Sequence, residues 1–110
     1  MKVLLIKKHA TKEEIRQMLI ALKSYIKLAV DIKREILAGG GILHADCESV
    51  LLKDGSNQED IWGADWIPHT KQLSFEALIN IRPRQNNPSM KIKDEVIREK
   101  VEEIVRSLLE

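Results

Sequence analysis

One cysteine, three prolines, one phenylalanine, one tyrosine and two tryptophans are few for 110 residues, and each scarcity excludes something. A lone Cys47 rules out an internal disulfide and a CxxC metal or redox motif, and an unpaired thiol suits a reducing, cytoplasmic setting. Charge of one sign is also lacking. The net charge of +1 supplies no field to draw the chain onto DNA or an anionic membrane. No apolar run approaches the ~20 residues of a membrane span, and Lys2 to Lys7 is too short for a signal-peptide core. Repeats, low-complexity tracts and linkers are not visible. What is present, 44% hydrophobic and 32% charged residues, suits one globular domain spanning 1–110 around a single core.

Val3 to Lys7 is a short aliphatic run that reads as a buried strand. Thr11-Lys12-Glu13-Glu14 spells a capping box, and Ile15, Met18, Leu19, Leu22 and Ile26 then recur at helical spacing. From Ile26 to Gly39 the pattern serves a strand or a longer helix. Strand is preferred, because β-branched residues hold three of four alternating positions and a helix from Thr11 to Ala38 would be unusually long. Lys33-Arg34-Glu35 would form its turn. Gly39-Gly40-Gly41 breaks the pattern. A phosphate cradle needs glycines opening a helix, whereas Ile42-Leu43-His44 looks like a strand, so a bulge or a close backbone approach is expected.

The middle of the chain reads as three strands, 43–52, 60–67 and 72–81, joined at Asp54-Gly55 and at Pro68 to Lys71. One register makes their apolar sides coincide. It sets Trp66 against Leu73, Ala64 against Phe75 and Trp62 against Ala77, and across the first hairpin it sets Ala45 against Trp66, Cys47 against Ala64 and Ser49 against Trp62. The other face then gathers His44, Asp46, Glu48, Asp65, Glu76, Asn80 and Arg82, with Asp46 directly opposite Asp65.

Paired carboxylates repel unless a cation, a shared proton or solvent relieves them. His44, Asp46, Glu48 and Asp65 are therefore candidate metal ligands, and imidazole with carboxylates suits a divalent transition metal better than calcium. Glu76, Asn80, Arg82 and Arg84 are candidate ligand-binding residues. The plainer alternative is the solvated side of an antiparallel sheet. No catalytic residue is assignable. By strand parity Cys47 projects away from His44, which disfavours a Cys-His nucleophilic pair, and Trp62 and Trp66 read as core.

An amphipathic helix from Asp94 to Leu109 closes the chain, with Ile97, Val101, Ile104, Val105 and Leu108 as its stripe. The expected architecture is an α+β two-layer sandwich in the order β-α-β-β-β-β-α. A mainly antiparallel sheet of four or five strands would carry two helices on one face. The open face, with Val50, Ile61 and Leu78 among its charges, would suit a homodimer or another protein. Nucleic acid could be met only through Arg82, Arg84, Lys91 and Lys93, against the acidic face beside them, and is disfavoured.

The runs His44-Ala-Asp-Cys-Glu48, Leu-Leu-Lys-Asp-Gly-Ser56, Glu-Asp-Ile-Trp-Gly-Ala-Asp-Trp66 and Leu-Ile-Asn-Ile-Arg-Pro-Arg-Gln85 resemble an uncharacterised domain-of-unknown-function family of small prokaryotic proteins. The resemblance covers nearly the whole chain and departs at Glu35, where that family carries a glycine. It implies a stand-alone single-domain protein and carries over no catalytic residue.

Overall fold

A computed structural model describes residues 2–110. Its elements run β1 (Leu4–Ile6), α1 (Lys12–Met18), β2 (Ile26–Asp31), β3 (Ile36–Gly39), α2 (His44–Lys53), β4 (Ile61–Ile67), β5 (Gln72–Ser74) and α3 (Glu95–Leu109). Single 3-10 turns stand at Gln58–Asp60, Leu78–Asn80 and Pro83–Gln85. The five strands make one open, antiparallel sheet in the order β1-β3-β2-β4-β5. The α+β class and the antiparallel sheet expected from the sequence are what the chain builds. No described helix is long and apolar enough to cross a membrane.

Local chemistry explains most boundaries. The Thr11 hydroxyl accepts from the Glu14 amide while the Glu14 carboxylate accepts from the Thr11 amide, the capping box that starts α1. The helix is shorter than its stripe suggests, because Lys23 turns to a left-handed φ of 70° and Ile26 already belongs to β2. Ile26 to Asp31 adopts the preferred strand. Its hairpin to β3 is tied by Asp31 Oδ1, which accepts from the amides of Lys33 and Arg34. Glu35 closes that turn at a φ of 57°, a left-handed conformation that favours glycine.

Residues 43–52 overturn the strand reading. They form α2, and the glycine run ends β3 rather than entering a longer strand. The apparent alternation counted Ala45 and Ser49 as apolar. The residues that actually bury themselves are Cys47 and Leu51, four apart, with Val50 half-buried beside them, which is helical spacing. Asp54-Gly55, taken for a hairpin turn, is the helix's C-terminal cap. Gly55 sits at a φ of 103°, its amide donates to Leu52 O and the Ser56 amide to Leu51 O, the double bond of a Schellman motif. The pairs Ala45–Trp66, Cys47–Ala64, Ser49–Trp62 and Asp46–Asp65 therefore do not exist. β4 pairs with β2 instead, Trp66 opposite Ile26 and Trp62 opposite Val30.

The β4–β5 register holds where the ladder forms, with Trp66 opposite Leu73 across a turn closed by the Lys71 amide donating to Ile67 O at 2.7 Å. It stops at Ser74 rather than running to residue 81.

Both sheet faces are covered, not one. On the first, Ile26, Leu28, Val30, Trp62, Ala64 and Trp66 pack with Met18 of α1 and Val101, Ile104, Val105 and Leu108 of α3. On the second, Ala29, Ile36, Ala38 and Ile61 pack with Cys47 and Leu51 of α2. The two expected helices do share a face; α2 is the third layer the sequence pattern hid.

Candidate functional site

Because α2 starts beside β4 and runs away from it, one end of the second face stays open. There Tyr25, Lys27 and Asp65 rise from β2, its lead-in and β4, walled by Leu43 and His44 at the start of α2 and by Glu76, Leu78 and Met90 beyond β5. This groove encloses about 430 Å³. A second cavity of about 550 Å³, bordered by Ile67, Gln72, Leu73 and Ser74, shares Tyr25 and Asp65 with it. At their junction His44 Nε2 lies 2.8 Å from Asp65 Oδ1 and 3.2 Å from Ala64 O. A carbonyl can only accept, so Nε2 carries a proton and donates to this end of β4.

His44 and Asp65 are in contact, although a helix rather than a strand delivers His44, and Glu76 lines the same groove without joining them. The other expected ligands do not join them. The Asp46 carboxylate accepts from the Leu43 amide at 3.2 Å and caps α2. Glu48 turns Oε2 toward Arg82, 3.8 Å away, buried in an ion pair but without a hydrogen bond. Among the described residues, no three of His, Cys, Asp and Glu stand together as a metal-binding group. The glycine run does open a helix, contrary to expectation, but a cradle is not left vacant. A Cβ on Gly41 would meet Asp46 Cβ at 3.1 Å and Val3 Cγ2 at 3.2 Å.

Asn80 and Arg82 face inward. β5 ends before it can pair with Gly63, and the Asn80 amide takes the missing strand's place, Oδ1 accepting from Gly63 N at 2.7 Å and Nδ2 donating to Gly63 O at 3.1 Å. Nδ2 also donates to Met90 O. A side chain on Gly63 would strike Ala77 Cβ at 2.5 Å, so only glycine lets this segment lie so close. Arg82 donates to the carbonyls of Ile79, Gln58 and Ile61 and stacks 4.6 Å from the Trp62 ring centroid. Burial lowers its pKa, and the Glu48 carboxylate opposes that shift. Asn87 completes the clasp, donating to Asn80 O and Lys91 O while accepting from Lys93 N. Arg84 remains exposed on its loop, as do Lys91 and Lys93.

The profile of a family described as proteins of unknown function, DUF5674, matches residues 4–108. The chain belongs to DUF5674. No curated protein and no solved structure matches it. The runs that carried the sequence resemblance divide by place within this DUF5674 chain. His44 to Glu48 opens α2, Gly63 to Trp66 forms the site's edge of β4, and Asn80 to Gln85 builds the polar clasp.

Cys47 is fully buried, its thiol donating to Lys27 O at 3.4 Å. Burial raises its pKa to about 11, which suppresses thiolate chemistry. Two residues that sequence reasoning passed over, Tyr25 and Lys27, border the site. Their only signal was the alternation of β2, which places both on the face opposite Ile26 and Leu28.

Proposed function

We propose that the protein is a binding domain that takes a small organic ligand in the open end of the second sheet face, anchored on the His44–Asp65 pair. The observation that carries the reading is that this pair, joined at 2.8 Å, sits where two cavities meet, with aliphatic walls around it. A few convergent polar groups in an otherwise apolar cleft are the usual composition of a ligand site. Asp65 holds the imidazole through Nε2, and the ring's other nitrogen is left for a polar group on the ligand. The test is an amide-shift map of the folded protein with a set of small aliphatic and aromatic fragments. Saturable shifts at His44, Asp65 and Leu78, lost in His44→Ala, are expected; fragments that perturb only other surfaces would reject the site.

A second reading, self-association, draws on exposed apolar side chains at the rim. Ile42, Leu43, Leu78 and Met90 are 50%, 55%, 71% and 42% exposed, a grouping that marks interaction surfaces. The same spectra taken across a dilution series separate the two, since a self-associating rim shifts with protein concentration alone and its mass rises toward a dimer.

A further inference from the structure

We infer that the ligand is a zwitterionic amphiphile of the free amino-acid type, with an ammonium, a carboxylate and an apolar body; this rests on the binding role proposed above and names the ligand class. The groove carries formal charges of both signs, with the Lys27 ammonium and the second Asp65 oxygen free of protein partners among the described residues. Lys27 and Asp65 are cross-strand partners on the same sheet face, a position in which opposite charges normally pair. Among the described residues Lys27 forms no ion pair, and the Asp65 oxygen that is engaged belongs to His44. Glu76, exposed at the far wall, makes no side-chain hydrogen bond among the described residues. Adjacent strands stand about 4.8 Å apart, so side chains rooted at Lys27 and Asp65 can both reach one small molecule bound between them. Leu43, Leu78 and Met90 then receive its apolar body.

Each simpler ligand leaves something unsatisfied. A pure anion reaches Lys27 but lies against Asp65 and Glu76, whereas a pure cation reaches those carboxylates but lies against Lys27. A neutral apolar molecule strips water from all three charges and returns nothing to them. A zwitterion alone satisfies both signs while filling the aliphatic end.

The test is an amide-shift titration with L-leucine, N-acetyl-L-leucine, isopentylamine and isopentanol, which remove in turn no charge, the ammonium, the carboxylate and both. Leucine should shift Lys27, Asp65 and Leu78 saturably and bind at least about tenfold more tightly than either singly charged analogue, the scale of one charge-assisted hydrogen bond. Lys27→Met and Asp65→Asn should each erase that advantage while leaving amides of the opposite face unmoved, which reports that the fold is retained. If isopentanol shifts the same residues as strongly as leucine, the charge selection is wrong while the groove remains a binding site. If none of the four shifts the groove, this inference falls, and the fragment map decides the binding role separately.

Discussion

Beneath α1 and α3 the sheet presents Ile26, Leu28, Val30, Trp62 and Trp66, each no more than 3% exposed, whereas beneath α2 Ile36 and Ile61 lie among the small Ala29 and Ala38, with Gly63 beside them. Large side chains fill the first interface from end to end. Gly63 lets backbone come close on the second, where the 77–80 segment lies against β4. Lengths differ too. The 15 residues of α3 reach about 22 Å and the 10 of α2 about 15 Å, so the shorter helix leaves part of its face open. The first face therefore serves stability, and the incomplete cover of the second leaves room for a site.

That contrast can be broken or sharpened by substitution. The largest effect is expected from Trp62→Ala, which empties the first core and removes the ring under Arg82. A loss of about 3–5 kcal/mol, the range for a buried aromatic truncated to alanine, should appear in denaturant titration. Asn80→Ala removes no large volume but strips the Gly63 amide and carbonyl and Met90 O of their partner. Roughly 2–3 kcal/mol is expected, and hydrogen exchange at Gly63 should speed up more than at Ala64, on the opposite parity of the same strand. Equal acceleration along all of β4 would mean that Asn80 is only filling space. The smallest effect, a gain of about 0.5–1 kcal/mol, is expected from Glu35→Gly, which relieves a left-handed residue at the cost of an exposed pair with Lys100. A loss instead would show that the pair outweighs the backbone strain.

Where a local pattern and the tertiary environment agree, the sequence was legible. The capping box, the stripe of α3, the β2 alternation and the Trp66–Leu73 pairing could be read directly, because each depends on residues close in the chain or on strong apolar periodicity. Residues 43–52 failed for a physical reason. With Ala45, Cys47 and Ser49 on one side, a period of two and a period near four bury almost the same apolar area, and Asp54-Gly55 serves a hairpin turn and a helix cap equally well. His44 and Asp65 still meet because α2 begins at His44, beside β4. Asp46, about half a turn further on, caps α2, and Glu48, about one turn further on, faces Arg82.

Asn80 and Arg82 teach the complementary lesson. Polar residues following a strand look like binding groups, yet here they replace a strand that ends at Ser74. Sequence alone determined which faces of β2, β4 and α3 are apolar and where α1 begins, since these follow from side-chain chemistry and short-range hydrogen bonds. Tertiary structure decided which strand β4 would pair with, that 43–52 would coil, and that Lys27, His44 and Asp65 would line one groove, because those outcomes depend on which distant backbone groups and apolar surfaces remain to be satisfied once the rest of the chain has packed.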